Sequence, residues 1–114
     1  MVSLKMTMQT RTVLRALLSA PGQEVYGLEI VEATGLPPGT IYPILARLES
    51  AGWIESRWED VDQHAVGRPR RRYYRFVAGP VDGAAAARLA LAEADERQRA
   101  RQRRRTPNGE AVAW

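Results

Sequence analysis

Residues 67–76 read GRPRRRYYRF and place five arginines beside two tyrosines and a phenylalanine. Arginine is always protonated and carries a planar set of N–H donors that matches a phosphate group. Such a cluster predicts a polyanionic partner, with nucleic acid as the first candidate and an acidic membrane surface as the second. A solvated basic surface without a partner is the third interpretation that the charge alone allows.

The positive charge is confined to the second half of the chain. Residues 1–60 carry five basic and seven acidic groups, a balance of −2, whereas residues 61–105 carry twelve basic and five acidic groups, a balance of +7. A concentration of one sign in one region favours a charged partner more than the total of +4 does.

The residues that enzymes and metal sites need are scarce. The 114 residues include no cysteine, and the single histidine, His64, lies in a polar stretch with no second metal ligand nearby. There is also no glycine loop suited to phosphates and no carboxylate pair in apolar surroundings. We therefore expect no enzyme activity, metal or cofactor. The apolar runs are far shorter than the ~20 residues of a membrane span, so we expect a soluble, cytoplasmic protein that makes no contact with a membrane.

Three segments in the first half have the apolar spacing of helices. They are residues 7–19, residues 26–34 and residues 40–50, and the last has one apolar face formed by Ile41, Ile44, Leu45 and Leu48. The opposite face of this third helix carries Thr40, Tyr42, Pro43 and Arg47.

After Gly52 the period of the pattern changes to two, which predicts two strands around WIESRWED and RRYYRFV joined by a long tip. Tyr74 and Phe76 are then expected to point inward against Ile54 and Trp58, so that the arginines lie on the tip. We expect Trp53 and Trp58 to pack in the hairpin and the core, rather than to form a platform for a ligand.

A long helix is predicted from about Asp82 to Arg105, because alanine and leucine are strong helix formers. Its apolar content stops at Ala94, so only its first half can pack. Residues 106–114 are expected to be a disordered tail.

These elements predict a mainly α-helical fold with a small β-hairpin, an α+β winged helix-turn-helix over residues 1–80 followed by a C-terminal helix over residues 81–105. In this arrangement the third helix enters the DNA major groove, and the wing arginines contact phosphates or enter the minor groove. Arg47 either contacts DNA or pairs with a nearby glutamate. Tyr73 either supports the wing or touches the DNA backbone.

Three segments resemble, in order and spacing, the PadR-type winged-helix transcriptional regulators: YGLEI at 26–30, PPGTIYPILARLESAGWIES at 37–56 and GRPRRRYYRF at 67–76. The resemblance covers about residues 10–80. It implies a homodimeric repressor that binds a palindromic operator in double-stranded DNA, with a C-terminal helix for dimerisation and, in some members, a small-molecule effector that releases the DNA. The DNA contacts that the resemblance implies are Thr40, Tyr42 and Pro43 on the third helix, and Arg68, Arg70, Arg71 and Arg72 on the wing. Arg47 and Tyr73 are added as candidates from their own positions.

The chain departs from the family pattern in its C-terminal part. One helix follows the wing, as in the short subgroup, and residues 82–105 contain no aromatic residue with which to stack a planar drug. Because an alanine-rich face makes a thin interface, the first helix is expected to share in dimerisation. The expected dimer contacts are Met6, Val13, Leu17, Leu89 and Leu91. A different function also fits the pattern: a winged-helix module that binds another protein and has no preference for a DNA sequence.

Overall fold

The structure, a computed structural model, describes residues 4–105, and the predicted tail at 106–114 lies outside them. The elements in chain order are α1 (Met8–Leu18), β1 (Val25–Tyr26), α2 (Gly27–Thr34), α3 (Pro38–Ser50), β2 (Ile54–Trp58), α4 (Gln63–Val66), β3 (Arg72–Phe76) and α5 (Gly83–Arg105). The predicted fold class, mainly α-helical with a small antiparallel sheet, is confirmed.

Local chemistry explains where the first three helices begin and end. The Thr7 hydroxyl accepts a hydrogen bond from the Thr10 amide at 3.1 Å and caps α1. Gly35 ends α2 in the left-handed conformation, with φ 72°. Pro38 occupies the first position of α3, where its missing N–H leaves no gap in the helix, and α3 therefore begins two residues earlier than the sequence predicted.

The sheet has three strands in the order β1-β3-β2. The register pairs Ile54 with Phe76, Ser56 with Tyr74 and Trp58 with Arg72, so the alternation predicted for the two long strands is correct. The sequence did not predict β1, which consists of two residues and pairs Tyr26 with Tyr73. This short strand joins the start of α2 to the wing.

The core lies between the helices and one face of the sheet. Its largest fully buried side chains come from α1, α3 and β2: Val13, Leu14, Ile41, Leu45, Leu48 and Ile54. The first half of α5 adds Ala84, Ala87 and Leu91. None of the helices in the described part of the chain is long and apolar enough to cross a membrane.

Gly83 sets the start of α5 against the base of the hairpin. A Cβ atom at this position would collide with the backbone carbonyl oxygen of Trp53, and the Gly83 amide donates a hydrogen bond to the Val77 carbonyl at 2.9 Å. Ala94 is the last buried residue of α5, as the end of its apolar pattern predicted.

Burial within one chain corrects three of the five expected dimer contacts. Val13, Leu17 and Leu91 are 0%, 3% and 8% exposed in the protomer itself, so they form its own core and offer no surface to a second chain. Met6 is partly buried against the same core. Leu89 is 61% exposed on α5, where a partner chain can reach it.

Candidate nucleic-acid interface

The recognition-helix candidates lie on the solvent-facing side of α3. Tyr42, Pro43 and Arg47 are exposed and Thr40 is half-buried, while the opposite face of the helix is in the core. The Arg47 side chain has no hydrogen-bond or ion-pair partner within residues 4–105. Both of its candidate glutamates are engaged elsewhere, Glu49 with Ser56 and Glu55 with Arg75. Its guanidinium is therefore available to a ligand.

Tyr42 rests on the first residue of α2. Gly27 is buried there, and a Cβ atom at this position would lie 2.7 Å from Cζ of Tyr42 and closer still to the phenol oxygen. The absence of a side chain at residue 27 thus lets the Tyr42 ring approach the α2 backbone. This contact fixes where the hydroxyl of Tyr42 is presented, although the ring keeps 44% of its surface exposed.

The wing consists of β2, β3 and the connection between them, which includes the short helix α4. Glu59 holds this connection. Its carboxylate accepts two hydrogen bonds from the Arg68 guanidinium, at 2.7 and 3.0 Å, and one from the Arg71 amide at 3.2 Å. The Glu59 amide donates in return to the Arg71 carbonyl at 2.7 Å. The hydrogen bonds from Arg68, and then from the Arg71 backbone, lower the pKa of Glu59 to about 2.

This clamp means that the wing arginines are not equivalent. Arg68 is paired with Glu59 and is only one-third exposed, so its charge is largely neutralised within the wing. Arg71 lies over the ring of Tyr26, with its Cζ 4.2 Å from the ring centroid. Arg72 donates to the Ser56 hydroxyl at 2.8 Å and approaches Glu49 at 3.8 Å.

Arg70 differs from these three arginines. It is exposed, and within the described part of the chain no side chain or backbone group pairs with it. Of the four wing arginines predicted to bind DNA, it is the one whose guanidinium makes no hydrogen bond, ion pair or ring contact among residues 4–105. It is therefore the strongest anion-binding group on the wing.

Tyr73 lies on the outer face of the hairpin, away from α3. Its ring packs edge-to-face on Tyr26, with 5.8 Å between the two ring centroids. The Arg57 guanidinium lies 5.0 Å from the centroid of the Tyr73 ring. Arg57 is in turn held by Glu24 through two hydrogen bonds of 2.7 Å. Of the two roles considered for Tyr73, these contacts favour support of the wing.

A groove of about 710 Å³ separates α3 from the wing. We call it the wing groove; it is lined by Leu28, Tyr42, Ala46, Trp58, Pro69 and Arg70, together with polar neighbours. Trp58 was expected to point into the core, and this expectation is wrong, because the tryptophan is 56% exposed. It does share the inner face of β2 with Ile54, but the wing groove separates it from α3, and its ring stacks instead against Arg72, at 5.1 Å.

Sequence reasoning missed the residues that hold the site together. Glu59 and Gly27 are not placed in contact with DNA, yet Glu59 orders the wing and Gly27 gives the Tyr42 ring its seat. The available signals were an acidic residue opposite a run of arginines and a glycine at the start of a helix. Within residues 4–105, no group of three or more potential metal-ligating side chains could hold a metal ion, and His64 lies exposed on α4.

A family model matches the part of the chain that contains this site. Residues 13–79, which contain most of α1 and all of α2, α3 and the wing, match the model of the transcriptional regulator PadR-like family. The chain belongs to the PadR-like family. It is a transcriptional regulator of the DNA-binding class, as the resemblance of the three segments predicted.

Solved structures of transcriptional regulators share the fold of this PadR chain. A PadR family transcription regulator from Clostridium difficile R20291 is 20% identical, with a TM-score of 0.57, over 90% of this chain and 100% of the other. A transcriptional regulator from Clostridium thermocellum is 22% identical, with a TM-score of 0.60, over 82% of this chain and 87% of the other.

A third similar structure is BpsR from Bordetella bronchiseptica, described as regulated in its DNA binding by 6-hydroxynicotinic acid. It is 20% identical, with a TM-score of 0.58, over 82% of this chain and 64% of the other. No curated protein sequence matches the chain.

Proposed function

We propose that this PadR regulator is a homodimeric, cytoplasmic repressor that recognises a palindromic operator and is released from it by a small-molecule effector. One observation carries the DNA-binding part of the proposal: Tyr42 of α3 and the unpaired Arg70 of the wing line the same groove. One DNA molecule in this groove could therefore meet both groups, with the Tyr42 hydroxyl at a base edge and the Arg70 guanidinium at a phosphate.

The docking follows from these positions. The first half of α3 enters the major groove, which is about 12 Å wide and accepts one helix, with Tyr42 reaching the base edges. Arg47 and Arg70 contact phosphates on either side and set the position of the helix. The clamp at Glu59 orders the wing before DNA arrives, which reduces the conformational entropy lost on binding.

A two-fold dimer explains why the operator would be palindromic. Two α3 helices related by such an axis must lie about 34 Å apart, one turn of DNA, to enter successive major grooves. The exposed Leu89 on α5 supplies an apolar contact for the second chain. Effector control is supported by the description of BpsR, whose DNA binding is regulated by 6-hydroxynicotinic acid. Repression follows if the dimer, while bound to its operator, blocks access to the DNA that it covers.

The proposal is tested by gel-shift titration on the DNA upstream of the protein's own gene and on a scrambled duplex of equal length, at two salt concentrations. Tight binding to the upstream DNA alone is expected. The Arg70→Ala variant should bind both duplexes more weakly and reduce the slope of log K against log salt by about 0.9, the value for one phosphate contact. The Tyr42→Ala variant should lose discrimination between the duplexes by roughly 5- to 150-fold, which is about 1–3 kcal/mol.

Arg75→Ala is the matched control, because Arg75 lies on the outer face of β3, outside the wing groove, and is paired with Glu55 at 2.7 Å. It removes the same charge but should leave the salt slope unchanged. Equal losses from Arg70→Ala and Arg75→Ala would contradict the assigned phosphate contact. Equal binding to both duplexes by the unchanged protein would contradict sequence-specific recognition and favour the protein-interaction module.

A further inference from the structure

A second cluster of basic residues lines a cleft between the segment before α1 and the second half of α5. The cleft encloses about 340 Å³. Four of its lining residues are cationic, Lys5, Arg11, Arg97 and Arg101, and none is acidic. The remaining lining is small or apolar, as at Met6 and Ala94.

The acidic residues of the neighbourhood leave most of this charge uncompensated. Asp95 lies 3.7 Å from Arg11, but it is shared with Arg15 at 3.3 Å. Glu96 pairs with Arg99 and Arg103, neither of which lines the cleft. Within residues 4–105, no ion pair involves the three other cations of the cleft, Lys5, Arg97 and Arg101.

Arg11 is the buried member of the cluster. Its side chain is 12% exposed and its Nη1 donates to Gln98 at 2.7 Å, whereas its Nε is buried and has no hydrogen-bond partner among the described residues. A buried donor without an acceptor is costly, since it has lost water and gained nothing in exchange. Because this Nε is buried, Arg11 contributes to the cleft through its positive charge and not through this donor.

We propose that this cleft binds the multiply charged phosphate group of a small phosphorylated molecule. A singly charged ligand would leave most of the cluster's charge unopposed, whereas a phosphate or diphosphate opposes more of it and offers several acceptor oxygens. Arginine donors match those oxygens in geometry, and hydrogen bonds between charged groups are about twice as strong as neutral ones. The volume of the cleft lies within the range of small-ligand sites.

The cleft is separate from the DNA interface. An adjoining cleft shares Leu4, Met6 and Arg97 with it and reaches Ala51 and Trp53, which follow the C-terminal end of α3. Tyr42 lies in the N-terminal half of the same helix, which is 13 residues or about 20 Å long. The proposal therefore concerns a second site and does not depend on DNA binding.

Pyrophosphate is the probe for the test. Its binding is measured by calorimetry and by thermal unfolding of the full chain, at constant ionic strength set with chloride. The unchanged protein should bind it saturably, and Arg101→Gln should weaken binding at least tenfold. Arg104→Gln is the matched control, because Arg104 is exposed on the same helix, does not line the cleft and carries the same charge.

Three outcomes would overturn the proposal. One is the absence of saturable binding to the unchanged protein. Another is an equal loss in Arg101→Gln and Arg104→Gln, which would mean that pyrophosphate responds only to overall charge. The third is that Arg101→Gln leaves pyrophosphate binding intact but weakens binding to duplex DNA more than Arg104→Gln does, which would assign the cluster to flanking DNA phosphates. Because both arginines are exposed, circular dichroism should show the same fold in all three proteins.

Discussion

The contact between Gly27 and Tyr42 allows a sharp test of how α3 presents its side chains. In Gly27→Ala, the new Cβ would lie 2.7 Å from Cζ and 2.8 Å from Cε1 of Tyr42. Comfortable separations between carbon atoms are about 3.5–4.0 Å, so the ring must move by about 1 Å. A hydrogen bond from the phenol tolerates about 0.5 Å of change in length, so this shift is enough to break it.

We expect Gly27→Ala to weaken operator binding by as much as Tyr42→Ala does, about 1–3 kcal/mol, the value of a good base contact. Stability should change little. Gly27 has a negative φ, so alanine is tolerated by the backbone, and alanine is up to about 1 kcal/mol better than glycine within a helix. The Tyr42 ring is 44% exposed and has room to turn toward the wing groove.

The assay is fluorescence anisotropy on labelled operator, with thermal unfolding measured in parallel. Gly22→Ala is the control, because no atom lies within 4 Å of the Cβ it would add. The double variant Gly27→Ala/Tyr42→Ala should bind like Tyr42→Ala alone, since the displaced group is already absent. If the two losses add in full, or if Gly27→Ala binds like the unchanged protein, Gly27 does not act through Tyr42.

Three further predictions concern the wing and the protomer contacts. Because the pKa of Glu59 is lowered to about 2 in the folded protein, from about 4.3 when unfolded, the clamp stabilises the wing above pH ~4.3 and is lost as the pH falls toward 2. An NMR titration of the Arg71 amide should therefore have its midpoint near pH 2, and a midpoint near 4.3 would exclude the clamp. Leu89→Asp should convert dimers to folded monomers in analytical ultracentrifugation, because Leu89 is exposed; persistent dimers would remove it from the interface. Leu17→Ala should instead lower the free energy of unfolding by about 2–5 kcal/mol in urea titration, as a core truncation does, and a loss below 1 kcal/mol would contradict its burial.

The elements that the sequence predicted well are those with a long, regular pattern. The four apolar positions of α3 recur at helical spacing and all are buried, so its exposed face could be assigned before the structure was known. The alternation in β2 and β3 likewise placed Ile54, Tyr74 and Phe76 on one buried face. Pattern alone could not reveal β1, because two residues are too short to show a period.

The errors share one physical cause, which is that a pattern assigns a face but not what covers it. Trp58 has the same face as Ile54, yet an open groove and not a packed side chain lies between it and α3. Val13 and Leu17 form an apolar face that could equally line a protomer core or a dimer core. The difference between Arg68 and Arg70 depends on the distance to Glu59 across the hairpin, which only the folded register defines.

The two-residue strand β1 has a consequence for how such a regulator can be controlled. It pairs the start of α2 with β3, and Arg71 stacks on its Tyr26. Because Tyr42 of α3 in turn rests on Gly27 of α2, the strand links α2, α3 and the wing into one unit. A signal cannot easily fold the wing away from α3 without breaking these bonds. In a dimer, the angle and spacing between two such units can change more easily than the structure within one unit. Control of DNA binding would then change the distance and angle between the two α3 helices, so that they do or do not fit successive major grooves. The structure of each unit itself would stay the same.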